Sequence, residues 1–360
     1  MSHPTRVLQA ACLLLPALPA ASSTGLGETV QRELFAMGTH LGVQVEAGDR
    51  ASALAASEAA RIAVREVEQR LSTWAQDSEL AALNRAAVGE TFRLSPELRA
   101  DLETAQELRA RTAGCFDPGI GALVAAWGLR EGGRRPSPAE IETALADGGL
   151  ASLALDADGG RRLKPSMTIE EGGFGKGVGL DAALEQLLAL GVSSARLDLG
   201  GQLAWFGAGD HELPLAHPDQ RDLPVLSVRL KNGSAATSGN SERGIEIDGV
   251  RHSHLIDPRN GQPAPDFGSV TVWAKSATTA DALSTALFVM GPETGLRWAA
   301  ETRGIEAIFL VRTETGLVAR ATDGLEGRIR MNQNVTIQFF TEQGVTPVSF
   351  VPPGNEEPNR

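Results

Sequence analysis

A chain of 360 residues, 42% of them hydrophobic, can bury a substantial core in one large domain or two intimately packed lobes. Its 33 basic against 45 acidic residues leave a net charge of −12, which argues against a nucleic-acid-binding surface. Two cysteines, Cys12 and Cys115, make no disulfide framework. Residues 1–22 read as an export signal: Arg6 in a modest n-region, an apolar Val7 to Leu18 broken by Gln9 and Pro16, and the small-residue pattern Ala17-Leu18-Pro19-Ala20. That run is too short to span a bilayer, and no later stretch reaches about 18 uninterrupted apolar residues. An exported, periplasmic protein is therefore expected, with a lipid anchor at Cys12 as the minority reading because almost no apolar run precedes it.

Residues 30–46 alternate as a strand, with Val43 and Val45 on one face, interrupted at Met37-Gly38-Thr39, where a glycine suggests a bulge or a close backbone approach. An Ala-rich helix follows from Ala51 to Leu71, burying Ala60, Ala63, Val64, Val67 and Leu71. Trp74 then stands alone as a core, rim or stacking residue. A helix from Pro96 to Thr112 leads to Cys115-Phe116-Asp117-Pro118-Gly119, which by itself is a turn. Nothing adjacent in sequence lowers the Cys115 pKa, so Cys115 is not read as a nucleophile. Residues 129–160 are polar and rich in Gly and Pro, with Pro136-Ser137-Pro138-Ala139-Glu140 opening a helix.

Met167-Thr168-Ile169 reads as a strand entering Glu170-Glu171-Gly172-Gly173-Phe174-Gly175-Lys176-Gly177-Val178-Gly179, then a helix to Leu190 with Gly191 after its end. A strand, a glycine-rich turn and a helix bring backbone amides against phosphates, and Lys176 adds a point charge. The spacing matches neither G-x-G-x-x-G nor the P-loop. Further strands are expected at 195–199, 225–230, 304–312 and within 324–340, giving an α/β (α+β) class with mixed sheets flanked by helices. Residues after 352 read as a frayed tail.

Thr278 or Thr279 is expected to cap a helix with apolar Leu283, Ala286, Leu287 and Met290 at helical spacing, stopping at Gly291-Pro292. Asp281 and Thr285 then share a face as a hard oxygen pair suited to Mg²⁺. Spacing alone favours a plainer role, with Asp281 complementing the helix dipole and Thr285 bonding back to the Asp281 carbonyl.

Taken together, these words resemble a known family over residues 30–345. They are Leu71-Ser72-Thr73-Trp74 through Asn84, Gly114-Cys115-Phe116-Asp117 through Gly128, the turn at 170–179, Asp198-Leu199-Gly200-Gly201, His254-Leu255-Ile256-Asp257-Pro258, and Ala280-Asp281-Ala282-Leu283-Ser284-Thr285. The chain resembles the ApbE family of FAD-dependent FMN transferases. The resemblance implies FAD as substrate, Mg²⁺ across its pyrophosphate, attack by a threonine hydroxyl of an acceptor protein, and loss of AMP. Family acceptors include subunits of membrane redox complexes. It puts Met37, Trp74, Cys115, Phe116 and Asp117 beside the flavin nucleotide, Glu170 at a family aspartate that contacts FAD, Lys176 on phosphate and the Ile256 backbone on the flavin. It puts the Gly173 carbonyl, Asp281 and Thr285 on the cation.

His254 stands in the family's H-x-I-D-P word and is the candidate proton acceptor, with His252 expected on the same strand face and Asp257 to orient either. Five departures stand out: Trp74 replaces the frequent tyrosine, Glu170 is a methylene longer than the aspartate, Glu171 replaces an apolar residue, Gly175 replaces an alanine, and Gln202 replaces the acid after the double glycine. As a metal ligand, Asp281 is expected to be dispensable to the ligand-free fold. FAD hydrolysis to FMN and AMP, or flavin binding without catalysis, are the alternative functions.

Overall fold

Strands whose alternate residues are buried on two different faces build a ten-stranded sheet, and its strands lie side by side in chain order. They are β1 (Glu28–Ala36), β2 (Thr39–Ala47), β3 (Ser194–Leu199), β4 (Gln202–Phe206), β5 (Gly233–Gly239), β6 (Gly268–Ala274), β7 (Ile305–Thr313), β8 (Gly316–Thr322), β9 (Thr336–Thr341) and β10 (Gly344–Val348). Neighbours are antiparallel except β8 and β9, which run parallel, so the sheet is mixed as expected. This computed structural model describes residues 27–240, 244–247, 249–333, 335–341 and 344–348. The expected export segment and the tail after 352 lie outside the described residues.

Because sheet neighbours are sequence neighbours, the helices are excursions between strands. Between β2 and β3 come α1 (Arg50–Leu71), α2 (Glu79–Arg85), α3 (Pro96–Arg111), α4 (Gly121–Ala126), α5 (Pro138–Asp147) and α6 (Gly175–Ala189). Between β6 and β7 comes α7 (Ala277–Glu301). Leu197, Ala204, Ala236, Val272 and Phe309 point from the sheet into the layer of α1, α6 and α7. Their neighbours Leu203, Trp205, Ala235, Ile308 and Leu310 point the other way, onto a three-stranded sheet of His211–His217, Gln220–Leu230 and Ile329–Met331. Two apolar faces thus sandwich the large sheet between helices and a smaller sheet. Among the described residues no helix is long and apolar enough to cross a membrane.

Several expectations change. The interruption at Met37 is a two-residue hairpin turn rather than a bulge, with Ala36 paired to Thr39 and positive φ at both Met37 (50°) and Gly38 (70°), as tight hairpins of the primed type require. Met167-Thr168-Ile169 is extended but joins no sheet, because the Asn84 side chain serves as its strand partner: Nδ2 donates to the Ile169 carbonyl (2.9 Å) and Oδ1 accepts from the Ile169 N–H (2.8 Å). Ser276, not Thr278 or Thr279, caps α7, its hydroxyl accepting from the Thr279 N–H. Gly291 leaves helical geometry altogether (φ 78°, ψ 170°), so the first helix stops at Gly291-Pro292 as expected, and what the sequence did not announce is the second helical stretch that follows directly and runs on to Glu301. Near the end, β8 was not anticipated, and a 3₁₀ turn (Asp323–Leu325) opens the stretch where strands were expected.

Candidate active site

The centre of the site is the place where the starts of α6 and α7 meet. A Cβ at residue 177 would lie 2.4 Å from the Ala277 carbonyl oxygen and 2.5 Å from the Thr278 Cα, so only glycine admits this approach. Across it, buried Asp281 of α7 accepts from the Gly177 N–H of α6 (3.0 Å) and from Lys176 Nζ (3.2 Å). In the other direction, Asp181 of α6 accepts from the Ala277 N–H (2.7 Å), the Thr278 N–H (2.9 Å) and the hydroxyls of Ser276 (2.7 Å) and Thr278 (2.8 Å). Each helix thereby supplies a carboxylate to the other's positive end.

Asp281 is therefore not a bare carboxylate that only a metal could satisfy, and the expectation that the ligand-free fold can dispense with it is corrected. Asp181 was missed because its partners lie 95 to 97 residues away, a pairing no local pattern encodes.

Thr285, one turn along α7, is half-buried, and its Oγ1 lies 3.5 Å from where a Gly173 Cβ would stand. The back-bond to the Asp281 carbonyl comes from Ser284 (2.8 Å) and not from Thr285. Asp281, Thr285 and the backbone at Gly173 thus lie on one surface with Lys176. Among the described residues no three His, Cys, Asp or Glu side chains gather as metal ligands. A donor set of one carboxylate, one hydroxyl and backbone oxygen fits a hard cation that keeps its waters, such as Mg²⁺, and not a soft one.

Met37 forms one wall. Its Sδ and Cε lie 3.2 Å and 3.5 Å from the positions a Cβ would take at Gly179 and Gly175, so the glycines of α6 give it room. A Cβ at Gly175 would also press on the Glu171 side chain, 3.3 Å from its Cβ and Cγ. Phe116 is buried, with its ring edge-on to Phe174 at 6.4 Å and 82°, and its Cε2 lies 3.4 Å from where a Gly173 Cβ would stand. Cys115 is buried, and burial pushes its thiol pKa up; the Arg259 guanidinium, a cation the local sequence did not reveal, pulls more weakly the other way. The Asp117 carboxylate is spent on its own loop, accepting from Arg109 Nε (2.5 Å) and the N–H groups of Gly119 and Leu150 (both 2.8 Å).

A second wall is polar and aromatic. Trp74 is 70% exposed, and the Arg130 guanidinium stacks 4.4 Å from its ring centroid. The same guanidinium holds Glu170, whose carboxyl burial pushes above the usual carboxylate range while Arg130 opposes the rise.

His254 sits on the loop that follows a small hairpin (Ile245–Ile247 with Val250–His252). The strand ends at His252, so the two histidines do not share a strand face; His252 instead lies 6.3 Å from the Trp127 ring. Asp257 does not orient either of them, because its carboxylate is taken up by the Arg259 backbone and guanidinium (2.8 to 2.9 Å) and by Asn260. Buried Ile256 pairs with Pro263 across the loop.

The loop is tied to the centre through Ser238, near the end of β5, and Asn240 just beyond it. Ser238 shares a hydrogen bond with Ser284 of α7 (2.9 Å), and Asn240 accepts from Ser253 (2.9 Å). The Asn240 amide nitrogen is buried without a hydrogen-bond partner among the described residues, a donor that a polar ligand at this loop would satisfy.

Comparison with known proteins shows the family. The family model described as the ApbE family matches residues 37–309. The FAD:protein FMN transferase of Vibrio cholerae is 30% identical over 273 residues, covering 73% of this chain and 81% of that one. The FAD:protein FMN transferase of Treponema pallidum is 31% identical over 290 residues, covering 74% and 79%. The solved structure of the Pseudomonas stutzeri flavinyl transferase ApbE, in its apo form, superposes with a TM-score of 0.75 at 28% identity, covering 85% of this chain and 98% of that one. With the family match running from the Met37 turn through α7 to β7, the chain belongs to the ApbE family.

Proposed function

We infer that this protein is an FAD:protein FMN transferase, which moves the FMN part of FAD onto an acceptor protein and releases AMP. The observation that carries the reading is the junction of α6 and α7, where Gly177 lets two helix starts meet beside Lys176, Asp281, Thr285 and the Gly173 backbone. Phosphoryl transfer asks a protein for positioning and charge neutralisation more than for covalent chemistry. Two helix starts and a lysine supply both to a pyrophosphate.

In the proposed reaction an acceptor threonine oxygen bonds to the phosphorus nearest riboflavin, the bond from that phosphorus to the bridging oxygen breaks, and AMP leaves. His254 takes the threonine proton. Asp281, Thr285 and Gly173 would hold Mg²⁺, which when bound supplies further neutralisation of the phosphates. Lys176, which pairs with Asp281 at 3.2 Å, would supply a point charge to the phosphates. We also take the enzyme to be exported to the periplasm, on the pattern of residues 1–22, and its acceptor to be a subunit of a membrane redox complex, on the family resemblance.

The test is incubation with FAD, Mg²⁺ and a threonine-bearing acceptor protein, read by in-gel flavin fluorescence and released AMP. A fluorescent acceptor with equal AMP is the expected result. AMP without a labelled acceptor would make the protein a hydrolase, and neither product would make it a flavin-binding protein. His254→Ala is expected to slow transfer by about 10²- to 10⁴-fold with FAD binding retained.

A further inference from the structure

Arg130 lies in the Gly- and Pro-rich stretch that offers no flavin word, yet it reaches two other segments of the site, Thr73-Trp74 and Glu170. Its Nη2 donates to Glu170 Oε2 and to Thr73 Oγ1, both at 2.5 Å, and its Nη1 donates to the Thr73 carbonyl at 3.3 Å. Thr73 Oγ1 in turn donates to Glu171 Oε2 at 2.5 Å. The flat face of the same guanidinium lies 4.4 Å from the centre of the exposed Trp74 ring. One cation thus answers two consecutive carboxylates, one directly and one through a hydroxyl, while backing an indole.

The two glutamates stand immediately before Gly173 and Lys176, in the turn that leads into α6. Under the FMN-transferase reading, on which this inference rests, that turn must receive a doubly charged pyrophosphate. Uncompensated carboxylates there would repel it. Lysine could not replace Arg130, because only a planar fork donates in its plane to Glu170 and Thr73 while stacking on an indole.

We propose that Arg130 is a positioning residue of the transfer reaction: it offsets the charge of Glu170 in the Glu170-Glu171 pair and holds Trp74, so that the dianionic substrate is admitted and one of its planar ends meets a fixed aromatic face. Arg130 acts on the substrate through these neighbours. Its loss is felt as substrate binding and not as the rate of the bond-breaking step.

The test uses the full chain and two probes, FAD and riboflavin, titrated by flavin fluorescence. Loss of a charge-assisted contact is expected to weaken FAD about tenfold in Arg130→Ala, and riboflavin, which carries no phosphate, by less than about threefold. In the transfer assay KM for FAD rises by a similar factor while kcat stays within about threefold. The double variant Arg130→Ala with Glu170→Gln recovers most of the FAD affinity, because the charge that repelled the substrate is gone. Arg130→Lys, which keeps the charge and should disturb the fold least, recovers part of it.

Unchanged FAD binding in Arg130→Ala, equal weakening of both probes, or no recovery in the double variant would each overturn the proposal. A wild-type protein that binds FAD but labels no acceptor would sink the transferase reading alone, since the binding comparison is made without an acceptor.

Discussion

Asp281→Asn separates the two duties that the structure gives one carboxylate. At 3.2 Å from Lys176 Nζ, the gross attraction at an effective dielectric of about 20 is about 5 kcal/mol. Much of it is offset by the desolvation of a carboxylate that is 4% exposed, and the Lys176 side chain, 30% exposed, regains water when its partner is neutralised. The Asn oxygen can still accept from the Gly177 N–H, so the net loss is about 1–2 kcal/mol, a fall of about 1–3 °C in melting temperature for a chain of this size.

Transfer should fall much further, by about 10²- to 10³-fold, because the missing charge would be a ligand of the cation on the phosphates. The assay pairs thermal unfolding without ligand with a Mg²⁺ titration of acceptor labelling, and high Mg²⁺ should restore only part of the rate. An Asp281→Asn protein with the wild-type melting temperature would show that the pair with Lys176 contributes nothing in solution. Wild-type labelling at low Mg²⁺ would remove Asp281 from the cation site.

Lys176→Met frees Asp281 of its competing cation, so the Mg²⁺ midpoint of the reaction should fall while FAD affinity drops about tenfold and riboflavin affinity holds; a raised Mg²⁺ midpoint would contradict the competition. Gly177→Ala drives a methyl into the α7 backbone and should destabilise the protein by more than about 3 kcal/mol in urea unfolding, with loss of labelling even where the protein remains folded. Glu170 has a pKa raised by burial in the fold, so its contribution to stability is present below its unfolded value and lost as pH rises through the folded one. Glu170→Gln should therefore gain stability relative to wild type from pH 4 to pH 7; an advantage that does not grow over that range would count against burial as the dominant influence.

Much of this molecule is written locally. The helix of residues 51–71, the glycine turn and the Ala280-Asp281 helix follow from periodicity and caps, and the family words by themselves single out Gly173, Lys176, Asp281 and Thr285. What escaped depends on distant partners. Asn84 standing in for a strand beside Ile169, Asp181 holding the start of α7 and Arg130 answering Glu170 are single polar side chains in unremarkable sequence. Hydrophobic period carries no trace of them. Asp257 erred in the opposite sense: next to histidines it suggested orientation of a base, while its geometry is that of a loop tied to Arg259 and Asn260.

The exchange of carboxylates between α6 and α7 has a consequence for how this region opens. Fraying the first turn of α6 takes away the Gly177 donor that Asp281 uses, and fraying the first turn of α7 takes away the donors that Asp181 uses. Each helix start is therefore worth less once the other has gone, and the two should open as one cooperative unit. In native-state amide hydrogen exchange, Gly177, Ala277 and Thr278 should share one opening free energy and lose protection together under mild denaturant. Either neutralising substitution, Asp181→Asn or Asp281→Asn, should then speed exchange on both helices rather than only on the one whose start it touches.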